Sequence, residues 1–365
     1  MRRLGNPQFG GVIQRRVVML LAAGMLAVGL LLVGTVHGQA AAGASAASCS
    51  STSQLAYSAG KHSGQKAMVW LANANGSDRR KLLRAADPVL SPNGEMVAVT
   101  NFGGSAGLGL FTACGRLVSQ FFSSHDTVAG ITWSPDSSIV AAVVAANPEQ
   151  APFHEQLELI DVATGQVTNV ATGFLSGWGG PTFSPTSSHQ LAYANVTKVG
   201  HNPSIWSVTP GHPSVQLTKS GANQYPVWGP QGLLYQHALN NGRSYLDLLS
   251  GGHSSTLMKL QAWPVAVSSD GTHLAAESAA CGVVWPVSVN LSTRKVVHQF
   301  PTSFAPYGIS PSGGSILISG ATPSADCGGP RSVIETVPFS GGKPTFVADG
   351  TDPSWADSRA VGVQP

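Results

Sequence analysis

The sequence predicts an all-β fold, a β-propeller of four-stranded blades, and three observations predict it. The first is a hairpin motif, clearest in Ile131-Thr132-Trp133-Ser134-Pro135-Asp136-Ser137-Ser138-Ile139-Val140-Ala141-Ala142-Val143. Its arms are rich in Ile, Val and Trp, which suit a pleated surface. Ser-Pro-Asp-Ser between them is turn chemistry: proline pre-sets φ at the first corner, and Asp and Ser bond their own backbone two residues on. The second observation is recurrence. Copies stand at Val89-Leu90-Ser91-Pro92-Asn93-Gly94, Thr182-Phe183-Ser184-Pro185-Thr186, Val227-Trp228-Gly229-Pro230-Gln231-Gly232, Ala266-Val267-Ser268-Ser269-Asp270-Gly271 and Gly308-Ile309-Ser310-Pro311-Ser312-Gly313, with a degraded copy at Ser354-Trp355-Ala356-Asp357-Ser358. The steps between them are 43, 50, 45, 39, 42 and 46 residues, the period of propeller blades. The third is composition. Charged residues make up only 10% of the chain, against 43 Gly and 24 Pro. Long surface helices need charged exposed faces, whereas short strands joined by Gly/Pro turns do not.

From the N-terminus, Arg2, Arg3, Arg15 and Arg16 precede an uncharged stretch from Val17 to Val36. As a helix it would reach about 30 Å, one hydrocarbon core. The arginines hold their end in the cytoplasm and send the rest outward. Small residues between Gln39 and Ala46 offer cleavage sites. Residues 1–36 therefore read as a hydrophobic helix, either a signal peptide or a membrane anchor, and both place the body outside the cytoplasm. Residues 37–54 read as a Gly/Ala/Ser linker, and 55–365 as the propeller. Membrane contact is expected only through residues 17–36. The net charge of +3, with no basic block after the N-terminus, does not suit nucleic acid.

The body cycles through four strands per period. After one turn, Met96 to Thr100 is a strand, Asn101 to Gly107 a loop, Leu108 to Phe111 the next strand and Leu117 to Phe121 the third. Ala129 to Trp133 then leads into the following turn. Later periods repeat this: Leu157 to Asp161 turns at Ala163-Thr164-Gly165 into Val167 to Val170, and Tyr245 to Leu249 turns at Gly251-Gly252 into Thr256 to Met258. Met68-Val69-Trp70-Leu71-Ala72, the turn Asn75-Gly76-Ser77 and Arg80 to Leu83 show the second half of the unit. This pattern over residues 55–363 resembles the TolB-type, WD40-like (PD40) propeller repeat family. The resemblance implies a propeller and leaves function open. The family's namesake carries an α/β domain before its propeller, for which the stretch from Val36 to Leu55 is too short.

Leu55-Ala56-Tyr57 begins the first cycle without a preceding turn strand, and Trp355 ends the seventh. The simplest closure lets the C-terminal strand complete the blade that the N-terminus starts, hiding two sheet edges. Seven blades follow, with six or eight as alternatives. Ala360-Val361-Gly362-Val363 competes with Leu55 to Tyr57 for one strand slot.

Four cysteines in an exported chain favour disulfides. Cys281 and Cys327 share one loop position in consecutive blades. Cys114 lies at a hairpin on the opposite face, where Cys49 should also emerge. The expected pairs are Cys281–Cys327 and Cys49–Cys114. No two cysteines have the spacing of metal ligands, and no cofactor is called for.

Gly103-Gly104-Ser105-Ala106-Gly107 matches G-x-S-x-G, but a nucleophile elbow needs a helix after it and a strand follows here, so the stretch reads as a flexible loop. The eleven His form no H-x-H or HExxH pair. Trp133, Trp228 and Trp355 recur at the pre-turn position, and Trp70, Trp206 and Trp285 at the middle strand; recurrence at a repeat position means blade packing. Trp178 departs from the repeat and sits in a Gly-rich loop. The same face should carry His125, Asp126, Glu149, His154, His201, Asn240, Arg243, Asp326 and Arg331. These residues are the candidate ligand-binding rim of a central funnel. The reading is an extracytoplasmic propeller, secreted or anchored, that binds or scaffolds a protein, a peptide or a small polar ligand. Its expected partner is another envelope or secreted protein. The alternative is a hydrolase or lyase using the funnel, for which the sequence shows no motif.

Overall fold

A computed structural model describes residues 53–60, 67–102, 105–122, 126–145, 154–175, 177, 179–187, 189–198, 200–280, 283–301, 304–310, 312–321 and 332–356. The chain opens with β1 (Leu55–Ala59), β2 (Met68–Ala72) and β3 (Arg80–Arg84). Blade 2 follows as β4 (Ala86–Leu90), β5 (Met96–Phe102), β6 (Ser105–Thr112) and β7 (Leu117–Phe121). Blade 3 is β8 (Thr127–Trp133), β9 (Ile139–Ala145), β10 (Glu155–Asp161) and β11 (Val167–Gly173). Blade 4 is β12 (Thr182–Phe183), β13 (Leu191–Asn195), β14 (Ser204–Val208) and β15 (Val215–Gln216). Blade 5 is β16 (Ala222–Gly229), β17 (Gly232–Ala238), β18 (Ser244–Ser250) and β19 (His253–Lys259). Blade 6 is β20 (Trp263–Val267), β21 (His273–Ala280), β22 (Val283–Asn290) and β23 (Lys295–Gln299). Blade 7 is β24 (Ala305–Ile309), β25 (Ser315–Ala321), β26 (Ser332–Pro338) and β27 (Thr345–Asp349). The last strand, β28 (Thr351–Trp355), pairs antiparallel with β1 and completes blade 1 in the order β28-β1-β2-β3.

The result is seven four-stranded antiparallel sheets. Their inner strands touch their neighbours all the way round, from β4 through β24 to β28 and back to β4. Closure by the C-terminal strand is therefore the arrangement found, with β1 in the slot for which residues 360–363 competed; those four lie outside the described residues, as does the apolar stretch 17–36. No α-helix occurs among the described residues, and none there is long and apolar enough to cross a membrane.

The repeated turn explains the repeat. Ser134 is fully buried. Its hydroxyl accepts from the amides of Ser138 (3.1 Å) and Ile139 (2.9 Å) and donates to Asp136 Oδ1 (2.6 Å). The same bond to the amide five residues on recurs from Met96 to Ser91 (2.9 Å), from His273 to Ser268 (2.9 Å) and from Ser315 to Ser310 (3.1 Å). The serine thus satisfies the first amide of each second strand, which the turn would otherwise orphan. Three residues after it the chain takes left-handed φ, at Gly94 (73°), Ser137 (61°), Gly271 (71°) and Gly313 (74°).

The core is divided. Seven apolar clusters each join one blade to the next. In β9, Val140, Ala142 and Val144 pack toward blade 2, while Ile139, Ala141 and Val143 pack toward blade 4. A strand buried on both faces reads as a continuous apolar run, because period-2 alternation sends its side chains to two interfaces. Trp133 is buried between blades 2 and 3, and its Nε1 donates to the Val89 carbonyl of blade 2 (2.9 Å).

The stretch Asn101 to Gly107, expected as a flexible loop, is mostly strand. Phe102 pairs with Ser105, leaving only residues 103–104 between β5 and β6. Apolar burial at Phe102 and Leu108 extends the ladder to its end.

Candidate functional site

In an antiparallel blade the first-to-second and third-to-fourth connections emerge at one end, here called the turn face. The second-to-third connections and the links between blades emerge at the other, the loop face. Six of the innermost strands begin at the loop face with a local break in their ladder, among them β20, where the register slips between Pro264 and Ala266. The register slips between Ala86 and Val89 in β4, between Ala129 and Thr132 in β8 and between Gln224 and Val227 in β16. In β24 it slips across Tyr307, and in β28 across Asp352 and Pro353. Such bulges bend a strand and re-aim its side chains. Four slipped residues carry left-handed φ: Asp87 (45°), Gly130 (57°), Tyr225 (54°) and Asp352 (51°).

The bulges of β4, β8 and β28 border a recess of about 380 Å³, counting its open mouth. It is lined by Asp87, Val89, Thr100, Val128, Ala129, Gly130, Ile131 and Asp352. The carboxylates come from blades 2 and 1, the first and last inner strands of the chain, which the ring closure makes neighbours. On the third side stands Gly130, where an added Cβ would meet Pro181 at 3.2 Å in a left-handed backbone. At Gly179 a Cβ would lie 2.6 Å from the Tyr225 Cα, so this glycine admits Tyr225 to the axis.

Each carboxylate is oriented. Thr100 Oγ1 donates to Asp87 Oδ2 (2.6 Å), Thr351 Oγ1 donates to Asp352 Oδ2 (2.7 Å), and the Tyr307 hydroxyl donates to Asp352 Oδ1 (3.4 Å). Burial, and then the charge of Asp87, push the Asp352 carboxyl above its ordinary range. The Tyr307 phenol is raised by burial and then by the charges of Asp352, Glu277 and Asp87, which places its hydroxyl among three acids from three blades. Glu277 is pushed up to about 7 by burial, against a hydrogen bond from Trp263 that lowers it. Trp263 stacks on Tyr225, with ring centroids 5.4 Å apart and planes at 17°. Burial, and then the charge of Glu277, raise Tyr225 to about 12. Acids and aromatics from blades 5, 6, 7, 1 and 2 thus form one axial cluster.

Among the residues expected on the rim, Asp126 directly precedes β8, His154 precedes β10, His201 lies between β13 and β14, and Arg243 between β17 and β18. All four are at the loop face, spread over blades 3, 4 and 5, and His154, His201 and Arg243 are exposed. His125, Glu149, Trp178, Asp326 and Arg331 lie outside the described residues. So do Cys49, Cys281 and Cys327, while Cys114 is disulfide-bonded. The axial residues carried a signal that the rim reading passed over. Asp87-Pro88, Tyr225-Pro226 and Asp352-Pro353 stand at one repeat position, four residues ahead of the turn serine or its substitute.

At the turn face, Ser138 Oγ, His189 and Asp136 form a trio that looks like a hydrolytic triad. Ser138 Oγ (3.1 Å) and Asp136 Oδ2 (3.0 Å) both meet His189 Nε2. A triad needs the nucleophile and the orienting acid on opposite nitrogens of the histidine ring. This trio therefore holds two turns together. It also helps to keep the Asp136 carboxyl near 2, where burial works against hydrogen bonds from Ser134, Ser138 and His189. Among the described residues, no group of three or more His, Cys, Asp or Glu has the arrangement of a metal site.

No protein-family model and no curated protein sequence matches the chain. Solved structures do. TolB from Acinetobacter baumannii superposes with a TM-score of 0.51 at 15% identity, over 83% of this chain and 66% of that one. The oligogalacturonate lyase of Vibrio parahaemolyticus gives 0.55 at 11% identity, over 69% and 80%. Puromycin hydrolase gives 0.60 at 14% identity, over 82% and 53%. The chain thus spans just under two thirds of that TolB and about half of puromycin hydrolase. At such identities the likeness is one of fold. With its seven four-stranded sheets and its closure by the C-terminal strand, the chain is a seven-bladed β-propeller whose fold is similar to that of TolB.

Proposed function

We propose that this chain is an exported binding module that holds a protein, peptide or small polar ligand over its axial recess through a cationic group. The observation carrying this reading is the recess itself. Its lining includes two carboxylates from different blades and no Lys or Arg. A concave site with a few convergent polar groups is the arrangement in which small ligands and side chains are held. Two acids in one partly desolvated space favour a positive partner, which also relieves their mutual repulsion. Export is supported by the basic-then-apolar N-terminus and by the oxidised state of Cys114, since disulfides persist outside the reducing cytoplasm. A partner in the envelope or among secreted proteins fits that location.

The test is titration calorimetry with short lysine- or arginine-bearing peptides, acidic peptides of equal length, and the double variant D87N/D352N. Basic peptides should bind, acidic ones should not, and the variant should lose at least tenfold in affinity while melting cooperatively. Equal binding of acidic and basic peptides, or an affinity untouched by the substitutions, would remove the recess as the site.

A further inference from the structure

Cys114 lies in the turn between β6 and β7 and is disulfide-bonded. That turn joins the third and fourth strands of blade 2 and so belongs to the turn face. We propose that its partner is Cys49, and that this bond staples the incoming chain beneath the seam where the ring closes.

The other two cysteines start from the wrong face. Cys281 directly follows Ala280, which pairs with Val283 at the loop-face end of β21 and β22. Cys327 lies between Ala321 and Ser332, which pair at the loop-face end of β25 and β26. A seven-residue strand separates the two faces by about 20 Å, and a disulfide needs its Cα atoms within about 7 Å. Five residues from Ser332 to Cys327 span about 18 Å at full extension, and blade 1 stands between blades 7 and 2.

Cys49 is differently placed. Four residues after it comes Ser53, which is buried at the turn face. The Ser53 amide donates to the Gly94 carbonyl of the blade 2 turn (3.1 Å). The Arg80 guanidinium donates to Ser53 Oγ (2.9 Å) and also to the carbonyl of Ala113, the residue before Cys114. One side chain therefore holds the incoming strand and the cysteine-bearing turn together. Four residues span at most about 14 Å, enough for Cys49 to reach Cys114.

The staple sits where it matters for the fold. The Gln54 amide donates to Ala72 of blade 1 (3.1 Å), and the Gln54 carbonyl accepts from Ala356 (2.9 Å), just past the closing strand. Residues 53 and 54 thus wedge both chain ends of blade 1 against blade 2. The reaction is thiol–disulfide exchange: two thiols lose two protons and two electrons to an external disulfide, which leaves as a dithiol. Cleavage between residues 39 and 46 would leave Cys49 on the mature chain, as would an uncleaved anchor.

Peptide mapping of alkylated, unreduced full-length protein tests the pairing. A linked species containing Cys49 and Cys114, lighter than the two reduced peptides by two hydrogens, is expected. Cys114 linked to Cys281 or Cys327, or alkylated as a free thiol, would overturn it. The role at the seam is read separately. In a C281S/C327S background a reductant should lower the melting temperature, and adding C49S should reproduce that lower value and abolish any further response. A melting temperature indifferent to reductant in that background would end the claim that the bond secures the ring.

Discussion

Glu277 is a carboxyl whose chemistry departs far from what its position in the chain suggests. It stands on β21 directly across from Trp263, and burial lifts its carboxyl to about 7. A carboxyl whose folded value exceeds its unfolded one binds more protons in the folded state. Stability is then fully present below about 4.5 and is lost as the pH rises toward about 7. The shift corresponds to about 3 kcal/mol at most. Glu277→Gln should remove this slope, so that the variant is the more stable protein above pH 7 and loses that advantage at pH 4.5. Urea titrations of both proteins across that range measure it; parallel curves would show that Glu277 ionises freely. Asp352 is raised by burial as well, so the recess also loses negative charge as the pH falls, and cation binding should weaken in the same direction.

At the scale of the element, the turn serine does more than shape a corner. Ser134→Ala leaves the amides of Ser138 and Ile139 without their buried acceptor. It should cost about 1–3 kcal/mol, measured as a lower urea midpoint at unchanged m. An unchanged midpoint would mean that Asp136, which also accepts from the Ser138 amide (3.1 Å), carries the turn alone. The turn was legible in the sequence because its chemistry is local: serine, proline and aspartate act on amides two to five residues away. The bulges were not. At four of them the residue that slips takes left-handed φ, and it is Asp, Gly or Tyr, so no single residue type announces it, although a proline follows at Asp87, Tyr225 and Asp352.

For the whole molecule, stability is shared among seven interfaces rather than held in one core. The closing contact is narrow: β28 pairs with β1 through Leu55–Trp355, Ala56–Ser354 and Ser58–Thr351. Yet Trp355 is buried with Leu317 and Ile334 of blade 7, and Ser354 Oγ accepts from the Leu90 amide of blade 2 (3.1 Å). Removing β28 therefore opens two interfaces and bares a sheet edge. A chain ending at Gly350 should lose its cooperative melt and associate, as light scattering would show. A monomer with an unchanged melting curve would mean that the ring does not need its seam.

The sequence alone determined the class of fold and favoured seven blades closed by the C-terminal strand, because turn chemistry and apolar patterning act over short distances and repeat; the structure settled both the count and the closure. Only the tertiary structure decided which residues share the axis. Asp87 and Asp352 stand at opposite ends of the described chain and become neighbours through the ring, and Tyr307 and Glu277 join them from other blades. Proximity across a closed ring depends on how many blades separate two residues, and distance along the chain does not report it.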